Sequence, residues 1–182
     1  GIGKTALVEI FVAQVRATAD VWVGHGQCLD HYGAGEAYFP VLEALGRLGR
    51  GPEGAPLVPV LQQYAPSWLV HLPALLTPED RERLAHTTSG VTPARMLREL
   101  AEALEVLTAA RPLVLVLEDL HWSDRATVEW LAYVVRRRDP ARLLILGTYR
   151  PVDVIIHAHA LRPIVAEFQH HPQYAELVLD YL

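Results

Sequence analysis

Residues 113–124 read LVLVLEDLHWSD. Five consecutive aliphatic residues, Leu113 to Leu117, leave no polar face for a strand to turn toward water. The run predicts a strand covered on both sides, as in a parallel sheet. Glu118 and Asp119 close it, and successive strand residues point to opposite faces, so the two carboxylates divide any work between them. Parallel strands need long crossovers, usually helices, so the flanking segments should be helical.

They read that way. Upstream, Thr92 caps and Pro93 begins a helix reaching Ala109, with Met96, Leu97, Leu100, Leu104 and Leu107 as its apolar stripe. Arg95/Glu99 and Arg98/Glu102 are expected as pairs on its exposed side. Pro112 ends it. Downstream, a helix is expected from a capping Ser123 to about Arg138, with Asp124 as a first-turn acid and the Arg136–Arg138 run as a solvated end. RLLILGTYR, residues 142–150, is the next buried strand. Earlier in the chain, Thr5 to Arg16 places Leu7, Val8, Phe11, Val12 and Val15 at helical spacing, and VWVGHGQC, residues 21–28, reads as a strand.

Further helices are expected over Tyr38–Leu48, over Leu57–Tyr64, from Thr77, within the apolar stretch 67–76 and over Ala158–Gln169. Residues 49–59, rich in Gly and Pro, form a loop, and AELVL, residues 175–179, a last strand. This alternation predicts a doubly wound α/β layer fold.

The composition of the 182 residues is 51% hydrophobic and 20% charged, enough for a real core. A net charge of −5 argues against a nucleic-acid footprint on this segment. Cys28 is the single cysteine, so there is no internal disulfide, which fits a reducing, cytoplasmic setting. No run reaches the roughly 18 apolar residues of a membrane span.

Lysine is used once. Of 16 Lys+Arg residues fifteen are arginine, and the exception, Lys4, lies in the opening GIGKT. A phosphate-binding loop reads GxxxxGK(S/T). Its backbone N–H groups point at phosphate oxygens, its Lys reaches the terminal phosphates, and its hydroxyl ligates Mg²⁺. A compact ammonium on a flexible stem suits that place better than a wide planar guanidinium. Gly1, Ile2, Gly3, Lys4, Thr5 and Ala6 are therefore candidates for phosphate contact. The chain begins inside this motif, so it is expected to be a fragment lacking the motif's first residues and the strand that feeds it.

A carboxylate at the end of a core strand can hold Mg²⁺ or its waters, and a neighbour can orient an attacking water. Glu118 is assigned with Thr5 to the metal, and Asp119 to water positioning or terminal-phosphate sensing. Asp is the commoner metal-side acid, so the roles can be exchanged. The plainer alternative is two acids meeting solvent. In LLILGTYRP, Thr148 can bond a phosphate or the water, and Arg150 can bridge to the terminal phosphate with its fork; alternatively Arg150 is a surface cation before a Pro turn.

Together GIGKT, LVLVLEDLHWSD and GTYRP resemble the Walker A, Walker B and sensor segments of the P-loop ATPase domain of the STAND branch of AAA-related ATPases, also described as Orc1-like. GQCLDHYGAGEAYFPVLEAL, residues 26–45, is similar to a segment of the same proteins. The resemblance implies an ASCE-type three-layer α/β P-loop NTPase sandwich with a parallel sheet, its first strand missing, spanning residues 1–182 as a partial domain. It implies ATP and Mg²⁺ as ligands, with slow hydrolysis to ADP as a regulatory switch inside a larger bacterial signalling or transcription protein. Other domains of that protein, and nucleotide-dependent self-association, are the implied partners; a membrane is not. The alternative is a nucleotide-gated scaffold that does not turn over, and a weaker one is direct DNA binding.

The pairs His157/His159 and His170/His171 lack helix-compatible metal spacing and read as surface residues. His121 and Trp122 are expected to pack beneath the loop, or to lie near the terminal phosphate. Tyr32 and Tyr38 are weak candidates for stacking on a base.

Overall fold

The computed structural model describes residues 3–30, 36–88, 90–137 and 141–179. Three parallel strands form one sheet in the order β1-β2-β3: β1 is Trp22–Gln27, β2 Leu113–Glu118 and β3 Leu143–Gly147. The LVLVL run is the central strand, and all six of its residues are buried. Its alternation sorts the side chains by face. Val114 and Val116 pack with Val21, the residue before β1, and with Val8 of helix α1 (Lys4–Thr18). Leu113, Leu115 and Leu117 point into the larger core on the other face. The expected α/β sandwich with a parallel sheet is what the chain forms.

That larger core is filled by α2 (Phe39–Arg50), α3 (Leu57–Tyr64), the short α4 (Pro66–Leu69), α6 (Pro93–Ala110) and α7 (Arg125–Arg136); α5 spans Pro78–Thr87. Trp68 and Trp130 are its largest fully buried side chains. α2 lies directly on β1. A Cβ on Gly26 would sit 1.8 Å from the Pro40 carbonyl oxygen, so only glycine permits this approach. Thr77 and Thr92 cap α5 and α6 as their sequences predict, accepting from the N–H groups of Asp80 and Arg95.

Several expectations need correction. The cap of α7 is Asp124, not Ser123: Asp124 Oδ1 accepts from Thr127 N at 2.8 Å, while Ser123 Oγ bonds back to the Leu120 carbonyl. Glu99 does pair with Arg95, at 2.7 Å, yet it is buried, because its other oxygen accepts from Ser67 N at 3.0 Å. The stretch 67–76 is not one helix. It breaks between α4 and a single 3₁₀ turn at Pro73–Leu75. The helix expected over Ala158–Gln169 is α9 (Leu161–Phe168), starting later because Ala158 sits in a turn at φ 46°, and an unexpected helix, α8 (Pro151–Ile156), precedes it. AELVL is not a strand: it pairs with no strand among the described residues, and Leu177 and Val178 are about four-fifths exposed (79% and 80%). Arg136 is exposed, as expected, and adds a pair of bonds from Nε and Nη2 to Glu167, while Arg138 lies outside the described residues.

Candidate functional site

The carboxyl ends of β1 and β2 meet the start of α1. Gly3 adopts φ 78° to turn the chain into that helix, and no side chain caps it. The helix therefore opens with backbone N–H groups lacking an intrahelical partner, the arrangement that favours anions. Lys4 is the first helical residue and is half-buried; Thr5 and Ala6 follow, exposed. Gly1 and Ile2 lie outside the described residues, as does Tyr32.

Strand parity brings distant residues together. His25 of β1 and Glu118 of β2 fall on the α1 face, in line with Val23 and Val116. Glu118 is buried. Its Oε2 accepts from the Thr5 hydroxyl at 3.0 Å, and its Oε1 lies 2.6 Å from His25 Nε2. The sequence reading named Thr5 and Glu118 but missed His25. Period-2 alternation along VWVGHGQ was the available signal, and only the strand register converts it into a contact.

Asp119 turns the other way. It takes a left-handed backbone (φ 57°), which Asp tolerates better than most residues. Its N–H donates to Thr148 Oγ1 at 3.1 Å, and its Oδ2 accepts from Gln27 Nε2 at 3.2 Å. Thr148 is buried, its N–H donating to the Leu117 carbonyl and its own carbonyl accepting from Leu120 N. It thus splints the two strand ends. Arg150 extends outward and lies 3.8 Å from Asp153 of α8. Tyr38 is buried against Trp68, at a ring separation of 4.7 Å; it is core, not a stacking platform. His121 is buried and Trp122 half-buried, as packing beneath the loop requires.

These donors suit a magnesium nucleotide. Mg²⁺ is held by one or two protein oxygens together with substrate phosphates rather than by an all-protein cage. The Thr5 hydroxyl and the Glu118 carboxylate are two hard oxygen groups in contact at a helix N-terminus.

A family model for the AAA ATPase domain matches residues 1–146 of the 182. The chain belongs to the AAA ATPase domain family. No curated protein and no solved structure matches it significantly. In this AAA ATPase domain Thr5, Glu118 and His25 meet at the carboxyl ends of the strands facing α1, with Asp119 and Thr148 joined beside them. Among the described residues of this AAA ATPase domain no helix is long and apolar enough to cross a membrane.

Proposed function

We propose that residues 1–182 are part of an ATP-binding domain of the STAND type, which binds ATP with Mg²⁺ and hydrolyses it slowly as a switch within a larger multidomain regulator. The observation that carries this reading is the contact between Thr5 and Glu118, made across the start of α1 beside Lys4.

The residues divide as follows. Backbone N–H groups from Gly1 to Ala6 receive phosphate oxygens, and Lys4 balances the terminal charge. Thr5 and Glu118 hold the metal, with His25 fixing the Glu118 carboxylate from its other oxygen. Bound Mg²⁺ supplies neutralisation of the charge that builds on the phosphoryl oxygens. Asp119, its backbone pinned by Thr148, accepts from and orients the attacking water. Arg150 reaches the terminal phosphate once it leaves Asp153. ATP and ADP are then the exchanged ligands, and contacts to neighbouring domains or to further copies change with their exchange.

A second reading has its own support. Asp119 is engaged by Gln27 and Arg150 lies beside Asp153, an arrangement that suits a nucleotide-gated scaffold without turnover. Single-turnover assays on the full-length protein separate the two: ADP accumulates only if the water is activated. For both, Lys4→Ala should abolish nucleotide binding, and tight ATP binding retained by that variant would overturn the assignment.

A further inference from the structure

The loop after β2 carries a polar group that the nucleotide reading leaves unused. His121 lies in the single 3₁₀ turn Leu120–Trp122, its side chain fully buried and neither ring nitrogen in a hydrogen bond. Both nitrogens face acids. Nδ1 is 4.0 Å from Asp119 Oδ1, and Nε2 is 3.5 Å from Asp153 Oδ2. Asp153 Oδ2 is the same oxygen that lies 3.8 Å from Arg150 Nη1. Arg150, Asp153, His121 and Asp119 form a chain whose links, 3.5 to 4.0 Å, are all longer than a hydrogen bond.

A buried polar group left unpaired costs about 1–3 kcal/mol. An apolar side chain of similar size would avoid that penalty, so packing alone does not account for an imidazole here. Burial pushes the ring below its ordinary pKa range, against the opposing pull of Asp119 and Asp153. A neutral imidazole has one N–H and one lone pair. It can donate to only one of the two carboxylates at a time.

We propose that His121 is a positioning residue that couples Arg150 to Asp119, with the location of Arg150 deciding which carboxylate receives the ring N–H. This rests on the nucleotide-binding reading above. While Arg150 neutralises Asp153, the better acceptor is Asp119, and the proton resides on Nδ1. When a terminal phosphate draws Arg150 away, Asp153 becomes the stronger acceptor. One proton then leaves Nδ1 to solvent and one from solvent joins Nε2, with no net change in charge. Asp119 Oδ1 then faces a bare ring nitrogen instead of an N–H and is left to take a hydrogen bond from water, while Oδ2 keeps its bond from Gln27. The same movement reaches α8, which begins at the residue after Arg150 and carries Asp153. His159 Nε2, 2.9 Å from the Ser123 carbonyl, and the Trp122–His157 ring contact at 5.7 Å fasten that segment to the loop. Occupancy of the site is thereby reported to the α8–α9 arm.

Nitrogen-15 spectra of histidine-labelled full-length protein test this, since the two tautomers have distinct ring shifts; His121→Asn assigns the signal. The N–H is expected on Nδ1 in the free protein. It should move to Nε2 with Mg²⁺ and a non-hydrolysable ATP analogue, and to Nε2 without any nucleotide in Arg150→Ala. An unchanged tautomer in Arg150→Ala overturns the coupling. Failure of the wild type to bind the analogue overturns the nucleotide reading instead, while the nucleotide-free arm still judges the coupling. In turnover, His121→Gln keeps a donor near Nε2 and His121→Asn keeps one near Nδ1. The Asn variant should lower single-turnover hydrolysis about tenfold relative to the Gln variant, with analogue affinity little changed. Given turnover by the wild type, equal rates for the two variants would also overturn it; without turnover the tautomer of Arg150→Ala alone decides.

Discussion

The Thr5 hydroxyl donates to Glu118 across 113 residues of sequence, at 3.0 Å. The other Glu118 oxygen lies against His25, so the carboxylate is held from two sides before any ligand arrives. Outer partners of a metal-side carboxylate typically matter by roughly ten- to a hundredfold in metal affinity. His25→Ala should therefore weaken Mg²⁺-dependent nucleotide binding by at least about tenfold. Binding measured in EDTA should change little. Calorimetric titration in the two conditions checks this, and an equal loss in both would mean that His25 acts on the nucleotide itself.

Asp124 serves two helices. Besides capping α7, its Oδ1 accepts from Tyr38 N at 3.0 Å, fixing a residue held at φ 64° just before α2. Asp124→Ala removes a cap and orphans a backbone donor, a loss of about 2–3 kcal/mol. Asp124→Asn keeps an acceptor and should recover most of it. Urea unfolding of the pair measures the difference.

Gly26→Ala should abolish folding at 37 °C or lower stability by roughly 3 kcal/mol or more. The clash partner is the Pro40 backbone oxygen, which no rotamer change moves. Gly3→Ala offers the contrast. Among the described residues no atom beyond its chain neighbours and its own helix lies within 4 Å of its Cβ position, so the positive φ is what resists it, and the loss should be nearer 1 kcal/mol. Thermal melts of the two variants rank them.

The His121 imidazole is held below its ordinary range by burial. The unfolded chain therefore takes up this proton at higher pH than the folded one. Its contribution is fully present above about pH 6.5, the unfolded value, and is lost as pH falls toward the lower folded value. His121→Phe should flatten that part of the stability–pH curve. An unaltered slope between wild type and variant would refute the assignment.

Cys28 is buried, and burial with Asp124, Asp119 and Glu43 nearby pushes its thiol up to about 12. At pH 8 the thiolate fraction is on the order of 10⁻⁴. Iodoacetamide should leave the native protein unmodified for hours and label it rapidly in denaturant, as mass spectrometry would record.

What could be read in the sequence was what local chemistry decides. The aliphatic run at 113–117 names a two-sided strand, and Thr77-Pro78 and Thr92-Pro93 name helix starts, because each signal sits within four residues of its effect. What escaped was set by distant partners. Glu99 looks like a surface acid until the α4 backbone brings Ser67 N against it. Ser123 reads as the cap and Asp124 as a first-turn acid, yet Asp124 caps α7 and its Oδ1 also accepts from the distant Tyr38 N. AELVL has strand composition, yet pairing requires a neighbour, and its Glu176 instead meets Tyr149 and Gln169. His25 joined the site only through the parallel register of β1 with β2.

Lys4, half-buried at the first turn of α1, is also the only side-chain amine among these 182 residues. Reagents that acylate or reductively alkylate amines thus have a single side-chain target here, and it is the one on which the nucleotide assignment depends. Shielding of that nitrogen by ATP would show up as slowed labelling at one peptide, a footprint that needs no engineered probe and reports ligand entry directly.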